Sequence, residues 1–184
     1  MTMTPTLHTF IQALQTPGIS FTTLADARPA TEAGGIPQLM RTTRFAEAEI
    51  VWRGRQWLLS LPLSPAALAA VERIASQAGR LNTEWLAEYR ILRGALLWVD
   101  AEEHPPTCAL VLQPLPAGRS FAETLLTEPA ERPPAGLDAL QSALRELPFS
   151  HTTHRPANLR SSGRRLIPMR YHDALFAHPT ASPT

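Results

Sequence analysis

The sequence predicts an α+β fold, and three observations point there. Strand-like apolar runs cluster in the first two thirds of the chain, at FAEAEIVW, QWLLSLPL, ALLWV and CALVLQPLP. Helical periodicity governs LHTFIQALQ before them and LDALQSALREL after them. The resulting order segregates strands from helices instead of alternating them: helix, hairpin, one or two helices, two strands, two helices, then a last hairpin. At 184 residues this is one domain with a short tail, AHPTASPT, expected to be disordered.

Each element carries its own local signals. Leu7, Phe10, Ile11 and Leu14 recur at i, i+3, i+4 and i+7, with Thr6 as N-cap and Pro17-Gly18 as the stop. Residues 25–37, ADARPATEAGGIP, read as loop. FAEAEIVW and QWLLSLPL flank the turn Arg53-Gly54-Arg55 and predict a hairpin, with Trp52 and Trp57 as packing anchors. Ser64-Pro65 opens a helix, since Ser caps well and Pro at N1 sacrifices no helical hydrogen bond. Leu68, Val71 and Ala75 follow at helical spacing, and Gly79 ends it. A second helix is predicted from Asn82 or Thr83 through WLAEYRILR to Gly94, with Glu84 in its first turn. ALLWV and CALVLQPLP are strands around the polar loop DAEEHPPT, and Pro114 and Pro116 close the second. SFAETLL is a turn or two of helix, and EPAERPPAG is a linker. LDALQSALREL places Leu137, Leu140, Leu144 and Leu147 on one face and stops at Pro148.

Composition excludes several chemistries. The apolar share, 44%, supports a real core, and a net charge of +1 gives no global field for nucleic acid or an anionic membrane. No run approaches the ~18 apolar residues of a membrane span. The start MTMTPTLHTF has no basic region and no apolar stretch of signal length. A soluble, cytoplasmic protein is expected. The single Cys108 excludes an intramolecular disulfide and lies in the apolar run CALVL, so a buried small hydrophobe is expected over a reactive thiol. All 17 cationic side chains are arginines. No lysine is available as nucleophile, Schiff base or phosphate clamp.

The chemistry question sits in FSHTTHRPANLRSSGRRLIPMRYHDA, residues 149–174. This stretch resembles the catalytic loop and following hairpin of the protein kinase superfamily, whose loop pattern is H-R-D-x-x-x-x-N. His151 matches the histidine, Arg155-Pro156 resembles the Lys-Pro that often follows, and Asn158 falls at the asparagine. Thr152 replaces the arginine and Thr153 the aspartate. A threonine hydroxyl cannot act as the base at neutral pH. QPLPAGRSFAETLL is similar to the kinase hinge, LDALQSALREL to the helix leading into the loop, and NLRSSGRRLIPMRYHDA to the hairpin ending at the metal-binding motif. The likeness covers about residues 45–174.

The resemblance implies a minimal kinase-like fold over residues 1–176. Its small antiparallel-sheet lobe would span about 20–114 and its truncated helical lobe about 118–176, with residues 177–184 as tail. It also implies which devices are missing. Ser60 or Leu61 stands near the position of the phosphate-pairing lysine, and Glu84 or Glu88 near its glutamate partner. Met169 and Arg170 stand near the metal aspartate, with Asp173 close by, and neither Met nor Arg ligates magnesium. The pattern G-x-G-x-x-G is absent, and Gly34-Gly35 reads as a turn.

Lysine, base and metal ligand are lost together, so no catalytic residue, cofactor or metal is expected. The implied function is that of a pseudokinase: a protein-interaction or regulatory module with a protein partner, a second copy of the chain being one candidate. Membrane and nucleic acid are not expected as partners. A first alternative is a nucleotide or small-molecule binder without phosphoryl transfer. Leu112, Leu115, Arg170 and Tyr171 would then be the ligand or phosphate contacts. A second alternative is a metal-dependent enzyme built on His151, His154 and His172 with Asp173, a group that lacks zinc-ligand spacing. Arg155, Arg160, Arg164, Arg165 and Arg170 form a local basic cluster able to meet a phosphorylated or acidic partner.

Overall fold

The computed structural model describes residues 5–78, 90–97, 107–127, 136–145, 156–162 and 165–170. They are mixed helix and strand with antiparallel sheets, an α+β arrangement. The chain divides into two compact units, one of residues 1–79 and 88–115 and one of residues 80–87 and 116–184.

The first unit is built on a six-stranded sheet. Its strands are β1 (Arg28–Pro29), β2 (Leu39–Arg41), β3 (Phe45–Trp52), β4 (Arg55–Pro62), β5 (Arg90–Leu97) and β6 (Thr107–Pro114). The order is β1-β3-β4-β6-β5, with β2 also on β3. β1 and β2 share one edge of β3, β1 pairing with Ile50 and Val51 and β2 with Ala46 to Ala48. The β3–β4 hairpin closes through a two-residue loop, because Trp52 pairs with Arg55. Arg53 and Gly54 both have positive φ (49° and 72°), as a type I′ turn requires.

Period two sorts the sheet into two faces. Ala46, Ala48, Ile50 and Trp52 of β3 share a face with Leu61, Leu59 and Trp57 of β4 and with Leu110 and Leu112 of β6. Helix α1 (Leu7–Gln15) adds Phe10, Ala13 and Leu14 to this core, and the following segment adds Phe21, Leu24 and Ala27. The core of this unit therefore includes helix α1, ahead of residue 20. Thr6 caps α1 by accepting from the Thr9 N–H at 3.2 Å, as expected. Pro17 does stop α1, but it also opens a single further turn, α2 (Pro17–Ser20), for which it supplies the N1 residue. The indoles of Trp52 and Trp57 meet edge to face, 6.0 Å between centroids. The Trp57 indole N–H donates to the Trp52 carbonyl at 3.1 Å and that of Trp52 to Asp26 at 2.9 Å. Both rings are anchors, and their polar atoms are satisfied.

Helix α3 (Pro65–Ala78) lies against β4, burying Ala67, Ala70 and Val71, and the Ser64 hydroxyl caps it by accepting from the Ala67 N–H at 3.2 Å.

Two expectations are corrected. Residues 25–37 are not all loop: Arg28-Pro29 is strand, and Thr31 bridges Pro37, enclosing Gly34 and Gly35 in a turn with positive φ at both. The larger correction concerns RILR. Residues 90–93 belong to β5, not to a helix running to Gly94. Ile91 and Leu92 pair with Val111 and Leu110, so tertiary pairing outweighs local helical preference. Gly94 marks not a helix end but an irregularity in the strand, where the register shifts between Leu92 and Leu96 at a positive φ of 62°. Thr22 fastens the same stretch, its N–H donating to the Ala95 carbonyl and its hydroxyl to that of Gly94. The rest of the predicted helix, with Glu84 and Glu88, lies outside the described residues.

The second unit holds α4 (Phe121–Thr127), α5 (Leu137–Arg145), a 3-10 turn (Pro156–Asn158) and the hairpin β7 (Leu159–Ser162) and β8 (Arg165–Pro168). Its core gathers Phe121, Leu140, Leu159 and Leu166, with Leu137 packed beside them. Leu137 and Leu140 thus face inward as the leucine spacing predicts. α4 begins with a reciprocal capping box. The Glu123 N–H donates to the Ser120 hydroxyl at 3.2 Å, and the Ser120 N–H donates to the Glu123 carboxylate at 2.9 Å.

Candidate functional site

The candidate site lies at the open end of the β7–β8 hairpin. Leu159 pairs with Pro168, and the next residues outward remain joined: the Met169 N–H donates to the Asn158 carbonyl at 2.7 Å. Asn158 and Met169 are thereby held side by side, and Arg170 follows in the chain. These are the positions compared in sequence with the kinase asparagine and metal aspartate. Met169 points into the protein, 2% exposed, and Arg170 is half-buried with a left-handed backbone, φ 56°. A non-glycine residue with such a φ is uncommon and costs of order 1 kcal/mol or more. It turns the chain sharply at the end of β8. Pro156 opens the 3-10 turn and is exposed, while Asn158 closes it half-buried.

Strand β7 is tied to residues 118–120. The Ser161 N–H donates to the Arg119 carbonyl at 3.0 Å, Ser120 bridges Arg160, and the Arg160 guanidinium donates to the Gly118 carbonyl at 3.0 Å. Gly118 is obligatory here. Its φ is +131°, and a Cβ would run into the Ser161 carbonyl. Arg160, one member of the basic cluster, therefore has a structural duty. Arg165 is exposed on β8. Arg155 and Arg164 lie outside the described residues, as do His151, Thr152, Thr153, His154, Tyr171, His172 and Asp173.

In the sheet unit, Ser60 occupies the position compared with the lysine. It is 1% exposed and faces Glu47, also 1% exposed, its hydroxyl donating to the carboxylate at 3.5 Å, a long bond. The register puts Gln113, equally buried, on the same face. This face thus presents a carboxylate, a hydroxyl and an amide, with no cation at Ser60 to pair with a phosphate. The sequence signal for the pair was faint: FAEAEIVW puts Glu47 out of phase with Ala46, Ala48 and Ile50, which reads as a solvent face when only one face is buried. Leu61 points to the opposite face and is core.

Of the two leucines compared with ligand contacts, Leu112 is 0% exposed within the sheet core and Leu115 is 8% exposed. Cys108 packs against the same core, and burial pushes its thiol up to about 12, which suppresses the thiolate. Among the described residues, no three His, Cys, Asp or Glu side chains converge as a metal site would need. No described helix is long and apolar enough to cross a membrane.

No protein-family model matches this chain, and no curated protein matches it.

Proposed function

We propose that this chain is a kinase-like domain that does not transfer phosphate and acts as a protein-interaction or regulatory module. The observation that carries the reading is the pairing of Met169 with Asn158, with Arg170 next in the chain. Where two magnesium ligands are needed, a permanently cationic side chain follows Met169, whose N–H is bonded to Asn158. Ser60 supports it independently: a neutral hydroxyl opposite a buried carboxylate offers nothing to polyphosphate.

The wider frame supports the likeness. The helix between β4 and β5, the break after Leu115, the helix α5 and the closing hairpin follow one another in the order the resemblance implies.

The test is transfer of labelled γ-phosphate from ATP to a mixed peptide library by the purified chain, with magnesium or manganese. No transfer above a no-protein control is expected. Transfer that disappears in Asn158→Ala overturns the proposal.

A further inference from the structure

We propose that the outer edge of β2 pairs with the same edge of a second copy of this chain, giving a two-fold symmetric dimer with Met40 at its axis. This deepens the interaction reading and rests on it, since it names the partner.

β2 is closed on one side and open on the other. The Thr42 N–H donates to the Phe45 carbonyl at 2.9 Å, and Met40 is the strand partner of Glu47. Backbone groups alternate sides along a strand, so Thr42 and Met40 turn theirs towards β3 while Leu39 and Arg41 turn theirs outward. Among the described residues β2 pairs with β3 alone. Further along, the edge is closed. The Ala30 N–H donates to the Glu49 carbonyl and the Gln38 N–H to the Ala30 carbonyl, both at 2.8 Å, and Pro29 has no N–H. The open edge is therefore as short as β2, which suits a closed dimer and not an open stack.

Met40 supplies the second observation. Its side chain stands on the Glu47 side of the sheet, opposite the core face of Ala46 and Ala48, and is 49% exposed.

Outward N–H and C=O groups fit an extended strand, and symmetry selects a second copy. Antiparallel pairing about Met40 sets Leu39 opposite Arg41 of the second copy and Arg41 opposite its Leu39. Each of these pairs exchanges two N–H···O bonds. Met40 then meets Met40 in the closer, non-hydrogen-bonded pair, with Cα atoms about 4.5 Å apart, and the two thioethers cover each other. Charge agrees with this direction. Arg41 is exposed at one end of β2, and Glu32 is exposed on the turn before its other end. Among the described residues neither has an ion pair. Antiparallel pairing carries Arg41 of each copy towards the Glu32 end of the other.

The test is sedimentation equilibrium of the full chain from about 1 µM to 1 mM, a range that covers weak association. The mass should rise with concentration from 20.2 kDa towards twice that value. Met40→Glu, which sets two like charges at the axis, should stay monomeric. Arg41→Pro removes an outward N–H, a loss that an edge strand tolerates. It should weaken the dimer at least tenfold and melt within a few degrees of the parent at low concentration. Arg41→Gln keeps the N–H and should weaken the dimer much less. Geometry is read separately. Met40→Cys should form a disulfide between copies with oxidised glutathione, because a non-hydrogen-bonded pair has the Cα separation that a disulfide takes. Val51→Cys, exposed on the same face of β3 as Glu47, should not. A monomer throughout the range, a dimer untouched by Met40→Glu and Arg41→Pro, or equal cross-linking of both cysteine variants overturns the proposal. None of these readouts involves ATP, so failure here is distinct from failure of the non-catalytic reading.

Discussion

The two units are held together by different means. In the sheet unit, α1, the segment after it and four strands pour side chains into one apolar core around Trp52, Trp57, Leu59 and Leu112. In the helix-and-hairpin unit the described core is Phe121, Leu140, Leu159 and Leu166. Much of its order comes from backbone contacts: Ser161 to Arg119, Met169 to Asn158, and the close approach at Gly118. Among the described residues, the sheet unit gathers the larger apolar core, and the hairpin is tied to residues 118–120 by close backbone contacts. A candidate site whose residues hang on backbone geometry tolerates exchange of its side chains better than exchange of its glycine.

The strongest way to break this contrast is a core truncation. Trp57→Ala removes a buried ring, its indole hydrogen bond and the support of two arginines, and should cost about 3–5 kcal/mol in chemical denaturation. A loss under 1 kcal/mol would show that the sheet does not rest on that core. Gly118→Ala comes next, at roughly 2 kcal/mol or more, since a backbone carbonyl cannot yield to the new methyl. Its effect should appear in β7 and β8 by amide exchange while β3, β4 and β6 stay protected. Uniform loss of protection would contradict the separate bases of the two units.

A smaller effect is expected at the start of α4. Ser120→Ala removes one half of the capping box and should cost about 1 kcal/mol. The Ser120 backbone bond, then its hydroxyl, then Arg160 and Arg119, hold the Glu123 carboxyl below its ordinary range. A depressed acid contributes stability above its unfolded pKa and loses it as pH falls through the folded value. The penalty of Glu123→Gln should therefore be visible at neutral pH and fade in acid. A penalty independent of pH would assign the effect to something other than the charge.

The smallest effect lies at Cys108. Its thiol, at about 12, should resist alkylation in the native protein at pH 8 and react fully in denaturant. Because the folded value is raised above the ordinary 9.0, the stability it contributes is intact below pH 9 and is lost as pH rises towards 12. Native alkylation as fast as that of a free thiol would contradict this burial.

What could be read in the sequence follows the same contrast. α1, the β3–β4 hairpin, the start of α3 and α5 announce themselves through caps, turn residues and period, all of which are local. β5 does so only in its second half, the start of the strand-like run ALLWV; RILR has no local preference that outweighs its pairing with β6, and the glycine that resembled a helix end is an irregular strand position. β1 and β2 are two and three residues long, too short for any period to register. The pairing of Asn158 with Met169 was legible, since a hairpin must bring its two ends together. The burial of Glu47 against Ser60 was not, since it depends on what covers the second face of the sheet. Arg53 was visible as a turn residue, but its stacking on Trp52 needed the register.

The most direct test of the non-catalytic reading is the melting temperature of the purified chain with ATP, ADP and GTP, each with and without magnesium or manganese. A ligand at a hundred times its Kd adds about 2.7 kcal/mol, roughly 5–10 °C for a chain of this size. The account predicts no magnesium-dependent shift with any nucleotide. A shift of that size requiring magnesium, and abolished in Asn158→Ala, would contradict it.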